Sequence, residues 1–296
     1  MTSRHAPTAG LIDVGTTTLY HEVRGRGPAL LLITGGSGDA GEWSRVAPAL
    51  AADFTVVAYD RRGSSRSPRP DSWTATSVDE QADDAAALLQ TLGLAPAVVV
   101  GHSGGASIAC GLVARHPDVV RHAVIYEAPL LSVVPEGEQV VGQYRTMVEQ
   151  AMAEGGPRRA MEVFIRVNAG DVAYEKWHAS TEPDSRERVF DNAATFFEIE
   201  LPAFAAFVPE CDRLRASGVP LTVMVGEDNA DGLFGAASRW LVEGTGADLI
   251  EMPGGHGGFE THQTEFVATV RRIGLSASID AANHDEDLKG KVPLYE

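Results

Sequence analysis

The stretch that decides the fold is Ala97-Val98-Val99-Val100-Gly101-His102-Ser103-Gly104-Gly105, which leads directly into the apolar segment 106–114. Its first four residues form a continuous apolar run, typical of a strand buried on both faces of a sheet. The segment after Gly105 has the apolar pattern of a helix. Between them lies Gly-x-Ser-x-Gly, which places a serine on a sharp turn from a strand to a helix. The stretch therefore predicts an α/β protein with a reactive serine at Ser103.

The residues around Ser103 suit acyl-transfer chemistry. Glycine is expected at positions 101 and 105, because a strained turn and closely approaching elements leave no room for side chains. The helix that begins after Ser103 directs free N–H groups at developing negative charge. We expect a second donor at the end of an earlier strand, so that the N–H groups of Gly36 and Gly104 form an oxyanion hole. A merely flexible turn would carry the same glycine at position 36.

Strand and helix patterns alternate along much of the chain. Continuous or alternating apolar runs predict strands, and a helical pattern occupies 78–92. This alternation predicts a mostly parallel sheet with helices on both sides. The predicted strands are 17–23, 29–33, 54–59, 97–100, 120–126, 221–225 and 249–252.

The segment 131–214 breaks the alternation, because its periodicity is helical throughout. We interpret it as a helical insertion into a core made of 11–130 and 215–275. The later part of the insertion is rich in aromatic residues. The last residues, 277–296, are polar and acidic without a sustained period, so they are expected to form a loosely ordered tail.

The composition limits the classes of partner. Lysine and arginine number 24 and aspartate and glutamate 41, which gives a formal net charge of −17. Such a field repels phosphate backbones and anionic lipids, so neither nucleic acid nor a membrane is an expected partner. With two cysteines and no P-loop or HExxH pattern, neither a cofactor nor a metal is expected. An N-terminus without an apolar signal segment predicts a cytoplasmic location, and the oligomeric state, a homodimer included, stays open.

The motifs resemble those of the α/β-hydrolase family from about residue 17 to residue 273. The resemblance implies a mostly parallel eight-stranded sheet flanked by helices, a helical cap inserted after the sixth strand, and a triad of nucleophile, acid and histidine. The implied cap agrees with the insertion at 131–214. The residues that carry the resemblance are Thr34-Gly35-Gly36, the segment from Tyr59 to Ser67, Gly101 to Gly105, and Pro253-Gly254-Gly255-His256.

His256 is the expected base, because it follows a C-terminal buried strand within a glycine-rich loop. A neutral imidazole accepts the serine proton and later protonates the leaving group. The acid departs from the commonest family pattern, in which an aspartate stands where this chain has Asn229. Glu127, at the end of strand 120–126, resembles the acid of a subset with a His-Glu-x-Pro sequence that includes fungal zearalenone lactonases. We favour Glu127, with Asp228 as the alternative.

Serine at the turn favours acyl transfer to water, because the dehalogenases and epoxide hydrolases of this family use aspartate there. The expected substrate is a small hydrophobic ester or lactone, cleaved through an acyl-enzyme on Ser103. Two or three of six cap aromatics are expected to face it, and Trp177, Phe197 and Phe204 are our candidates. A C–C bond hydrolase, a lyase, a cofactor-independent oxygenase using His256, and an inactive small-molecule-binding protein are the alternatives.

Overall fold

The computed structural model describes residues 7–135 and 137–289, with side chains as far as Ile279. Its strands are β1 (Thr8–Asp13), β2 (Thr18–Arg24), β3 (Ala29–Ile33), β4 (Thr55–Tyr59), β5 (Ala97–His102), β6 (Val120–Tyr126), β7 (Leu221–Gly226) and β8 (Asp248–Met252). They form one sheet in the order β1-β2-β4-β3-β5-β6-β7-β8. The pairs β1–β2 and β2–β4 are antiparallel, and the other neighbouring pairs are parallel. The predicted mostly parallel eight-stranded sheet is confirmed.

Helices cover both faces of the sheet, and short 3-10 turns lie at 40–43, 117–119, 131–133 and 227–229. A π-helical turn occupies Phe196–Glu200. The α-helices are α1 (Ala47–Leu50), α2 (Val78–Thr91), α3 (Gly104–Arg115), α4 (Gly137–Ala169), α5 (Asp171–Ser180), α6 (Pro183–Asp191), α7 (Ala193–Thr195), α8 (Leu201–Ala206), α9 (Cys211–Ala216), α10 (Leu233–Thr245), α11 (Gly258–Thr261) and α12 (Gln263–Lys289).

The central strands are buried on both faces, as their continuous apolar sequence predicts. In β3, Leu31 and Ile33 pack into the core on the side of α2 and α3. Leu30 and Leu32 point to the other face, where α1 and α12 close a second core. Because alternate residues enter opposite cores, the strand is fixed in register and its carboxyl end is held firmly. Each such leucine contributes about 1.5–3 kcal/mol on burial.

A cap of helices joins β6 to β7, as the insertion at 131–214 predicts. Its longest helix, α4, bends at Gly155 and Gly156, directly before Pro157. The cap is tied to the loop after β3, since Arg188 donates to Asp39 Oδ2 at 2.5 Å and Asn192 Nδ2 donates to the Ser37 carbonyl at 2.8 Å. These contacts hold the cap over the carboxyl edge of the sheet.

Two local features differ from the expectation. β1 has no counterpart among the predicted strands, because this edge strand is largely exposed and lacks an apolar run. The segment 277–296, expected to form a loosely ordered tail, continues α12 as far as Lys289, and 290–296 lies outside the described residues. No helix in the described ranges combines the length and hydropathy needed to cross a bilayer.

Candidate active site

Ser103 lies at the tip of a sharp turn between β5 and α3. Its backbone adopts φ 53° and ψ −124°, a strained conformation for a residue with a side chain. A Cβ atom on Gly101 would lie 2.3 Å from the Gly105 carbonyl oxygen, and one on Gly105 would lie 2.3 Å from that of Ile33. Both glycines are therefore required by close backbone approach. The Ser103 N–H donates to the Tyr126 carbonyl at 2.9 Å, which fixes the turn against β6.

His256 and Glu127 come together from sequence positions more than a hundred residues apart. His256 follows β8, and Glu127 follows β6 at the same edge of the sheet. The imidazole Nδ1–H donates to Glu127 Oε2 at 2.6 Å. Glu127 is completely buried and His256 is 8% exposed. This bond assigns the proton to Nδ1 and leaves Nε2 as the nitrogen available to accept a proton.

Further donors hold the Glu127 carboxylate. The Gly226 N–H donates to Oε1 at 2.8 Å, and Asn229 Nδ2 donates to Oε2 at 2.9 Å. Asn229, which stands where the commonest pattern of the family that the motifs resemble has an aspartate, therefore binds the carboxylate of Glu127. Glu127 itself has φ 49°, a second strained backbone at this edge. Asp228 is exposed, and its backbone N–H, not its carboxylate, bonds to the loop at Gly254.

The surroundings favour an ionised Glu127 beside a neutral His256. Burial raises the pKa of Glu127, but hydrogen bonds from His256, Gly226 and Asn229 outweigh it, so this pKa lies below its ordinary value. Burial and the neighbouring His102 lower the pKa of His256, although Glu127 opposes them. A carboxylate paired with a neutral imidazole is the state that general-base chemistry requires near neutral pH.

His102 and Phe234 support the imidazole from two sides. His102 Nε2 donates to the His256 carbonyl at 2.9 Å, and its Nδ1 lies 3.0 Å from Glu42 Oε1. The Phe234 ring stacks on the His256 ring with centroids 4.3 Å apart and planes at 18°. These contacts give His102 a polar role in holding the His256 loop.

The glycine loop after β3 is oriented by a buried arginine. Arg61 Nη1 donates to the carbonyl oxygens of Thr34 at 2.9 Å and Gly35 at 2.5 Å. In a trans peptide the C=O and the following N–H point in opposite directions, so the Gly36 N–H is directed away from Arg61. Arg61 is in turn held by Glu200 of the cap, through bonds of 3.0 and 2.8 Å. The orientation of the Gly36 N–H thus depends on a contact between cap and core.

Cap aromatics lie directly on the two predicted oxyanion glycines. A Cβ atom on Gly36 would lie 2.2 Å from the Phe196 ring, and one on Gly104 would lie 2.9 Å from the Phe204 ring. These rings exclude water from the peptide groups beside Ser103. Hydrogen bonds to a developing charge are stronger in such a dry setting than in water.

Two chambers meet at Ser103 and Gly36. The small chamber, of about 130 Å³, is bordered by His256 and contains Trp177 in its wall. The large chamber, of about 590 Å³, lies between the sheet edge and the cap. Of the three proposed substrate-binding residues, Trp177 therefore lines the small chamber, whereas Phe197 and Phe204 line the large one.

Other wall residues escaped the sequence interpretation. Four of the six cap aromatics line a chamber, where two or three were expected to face the substrate; Phe196 is the fourth, and Phe190 and Phe207 line neither chamber. Phe164 borders both chambers and Phe234 the large one. Phe164 had no signal beyond helical spacing, and Phe234 belongs to the core. Within the described residues, no group of three or more histidine, cysteine or acidic side chains is arranged to hold a metal ion.

Comparisons with known proteins agree with this architecture. The model of the alpha/beta hydrolase fold family matches residues 28–160. The uncharacterized hydrolase YraK of Bacillus subtilis (strain 168) is 30% identical over 261 residues, which cover 87% of this chain and 92% of that relative. The chain belongs to the α/β-hydrolase family.

Two solved structures illustrate the similarity. The esterase RhEst1 from Rhodococcus sp. ECU1013 matches with a TM-score of 0.65 and 25% identity, covering 93% of this chain and 100% of that one. The enol-lactonase from Burkholderia xenovorans LB400 matches with a TM-score of 0.67 and 19% identity, covering 89% and 98%. The second likeness concerns the fold alone.

Proposed function

We propose that this hydrolase cleaves carboxylic esters or lactones of small hydrophobic molecules through an acyl-enzyme on Ser103. The observation that carries the proposal is the 2.6 Å bond between His256 and the buried Glu127, with His256 and Ser103 bordering the same chamber. A serine hydroxyl is a weak nucleophile until an oriented imidazole takes its proton. Ser103, His256 and Glu127 supply the three parts of that arrangement.

In the proposed mechanism, Ser103 Oγ attacks the substrate carbonyl carbon while its proton passes to His256 Nε2. Glu127 stabilises the imidazolium that forms and keeps its proton on Nδ1. The N–H groups of Gly36 and Gly104 bind the oxyanion. The imidazolium then protonates the leaving alcohol oxygen as the C–O bond breaks. Water, deprotonated by His256, hydrolyses the acyl-enzyme and regenerates Ser103.

The backbone at the site favours an enzyme over a binding protein that keeps the same fold. Ser103 and Glu127 both hold positive φ angles, and each such conformation costs on the order of 1–3 kcal/mol. A protein that only binds a small molecule has no need to maintain both. The similarity to the esterase RhEst1 from Rhodococcus sp. ECU1013 supports the same reaction class.

The test is the intact mass of the protein after exposure to a fluorophosphonate. Ser103 Oγ would attack phosphorus and expel fluoride, which leaves one phosphonyl group on the enzyme. We expect a single adduct that disappears in Ser103→Ala and persists in Ser37→Ala, a serine that also borders the small chamber. Absence of the adduct, or its persistence in Ser103→Ala, would contradict the proposal. If the enzyme is labelled, assays with a panel of esters and lactones follow.

A further inference from the structure

The two chambers differ in which catalytic groups they contain. Ser103 and Gly36 border both chambers, so the two substituents of a carbonyl group bound at Ser103 can enter either chamber. His256 and Gly257 border only the small chamber, and Gly104 borders only the large one. The junction at Ser103 thus separates the base from one of the two oxyanion donors.

This separation determines which half of an ester each chamber receives. The leaving oxygen must come within hydrogen-bond reach of His256 Nε2 to be protonated. The alcohol half of the ester is therefore directed into the small chamber. The acyl half, on the other side of the carbonyl carbon, is directed past Gly104 into the large chamber.

The chambers also differ in size, while the walls of both are mainly apolar. The large chamber has about 590 Å³, and its wall includes apolar residues such as Val148, Met152 and Phe197 and the charged residues Arg145, Glu149 and Glu198. The small chamber has about 130 Å³, and its wall combines polar residues such as Glu42 and Glu260 with apolar ones such as Val189 and Phe259. Burial raises the pKa of Glu260 to about 7, although Arg45 opposes this. The large chamber therefore offers far more room for an extended apolar chain than the small one.

We propose that the enzyme selects esters that join a long or bulky apolar acyl group to a short alcohol. This inference rests on the proposed serine-hydrolase function and specifies its substrate class. It makes the distribution of carbon atoms about the ester bond, and not the overall hydrophobicity of the substrate, the basis of selection.

Ethyl octanoate and octyl acetate test this inference directly, because they are constitutional isomers with the same ester bond. We expect kcat/KM for ethyl octanoate to exceed that for octyl acetate by about tenfold or more. A ratio of less than about threefold, or a reversed ratio, would overturn the inference.

Two variants, one in each chamber, should change the substrate preference in opposite parts of the ester. Val148→Trp fills part of the large chamber and should lower the ratio of ethyl octanoate to ethyl acetate hydrolysis. The matched control is Val172→Trp, because Val172 is 74% exposed and borders neither chamber, so this ratio should stay at the wild-type value. Trp177→Ala enlarges the small chamber and should therefore raise kcat/KM for octyl acetate relative to kcat/KM for ethyl octanoate. If Val148→Trp and Val172→Trp change the ratio equally, the assignment of the large chamber is wrong.

All of these readouts are ratios of two substrates measured on one preparation, so a loss of folded enzyme cancels. Fluorophosphonate titration counts active serines in the same sample. Absence of labelling would refute the serine-hydrolase function itself. Labelled enzyme without the isomer preference would refute only the assignment of the chambers.

Discussion

The carboxyl ends of β5, β6 and β8 carry Ser103, Glu127 and His256, whereas the helices between β6 and β7 supply most walls of the large chamber. The strands are fixed by hydrogen bonds to their neighbours and by burial, so the positions of the side chains at their ends are well defined. Cap side chains lie on separate helices, so they can be substituted without disturbing the sheet. We therefore expect substitutions at the sheet edge to lower kcat and substitutions in the cap walls to change substrate preference.

Ser103→Ala should have the largest effect. Removing the nucleophile prevents the acyl-enzyme, so kcat should fall by about a millionfold, leaving only the contribution of binding and the oxyanion donors. The thermal midpoint of unfolding should not fall, because alanine has less side chain to strain at φ 53°. Steady-state kinetics with thermal unfolding as a control checks this. Substantial residual turnover in purified Ser103→Ala would place the nucleophile elsewhere.

Glu127→Gln should lower kcat by up to about ten-thousandfold, because the amide no longer stabilises the imidazolium or fixes its proton on Nδ1. The matched change Asp228→Asn alters an exposed carboxylate that makes no bond to the imidazole and should leave kcat within about twofold. Kinetics of the two variants side by side decides the identity of the acid. A greater loss in Asp228→Asn would move the acid to the loop after β7.

Arg61→Gln should lower kcat by about ten- to a hundredfold with little change in KM, because the Gly35–Gly36 peptide loses its orientation. The control is Arg62→Gln, since Arg62 is also buried, with Asp84 Oδ1 at 2.5 Å, but its bonds lie away from the glycine loop. Both variants should unfold at lower temperature, because each leaves a buried carboxylate unpaired. Arg61→Lys keeps the positive charge, so its loss of kcat should be smaller than that of Arg61→Gln.

A trifluoromethyl ketone forms an oxyanion with the serine, whereas the matching alcohol does not. Substitutions of Arg61, but not Arg62→Gln, should therefore weaken binding of the ketone more than binding of the alcohol. Equal losses of kcat in Arg61→Gln and Arg62→Gln would reduce Arg61 to a structural residue.

The smallest effect concerns pH. His256 must be neutral to accept the proton, and burial lowers its pKa, so kcat/KM should rise with pH through a midpoint below about 6.5. Phe234→Ala exposes the stacked imidazole and should move that midpoint upward by less than about one pH unit. Phe197→Ala, in the same chamber but away from His256, should leave the midpoint in place. Equal shifts in both variants would contradict this role of Phe234.

Much of the fold was predictable from local pattern. Continuous apolar runs located β3 and β5 because strands buried on both faces admit no polar residue. The exposed edge strand β1 gave no such signal, and the acidic segment that continues α12 lacked the apolar stripe by which helices are recognised. Patterns of burial reveal only those elements that are buried.

Ser103 was identifiable from sequence because its strained turn requires specific neighbours within five residues. The bond between His256 and Glu127 was anticipated only through a family resemblance, since no local rule links positions 129 residues apart. Arg61 lies in the segment from Tyr59 to Ser67 that carries the resemblance, but its role was not predicted, because it depends on the carbonyl directions of Thr34 and Gly35.

The sequence by itself determined the strand–turn–helix at Ser103, the mostly parallel sheet and the helical insertion, because these follow from short-range periodicity and backbone sterics. Only the tertiary structure decided that Asn229 binds Glu127, that Arg61 and Glu200 orient the Gly36 peptide, and that the cavity divides at Ser103 into unequal chambers. Such features arise where distant segments meet. Distances and directions between those segments are set by packing of the whole core, which no short stretch of sequence specifies.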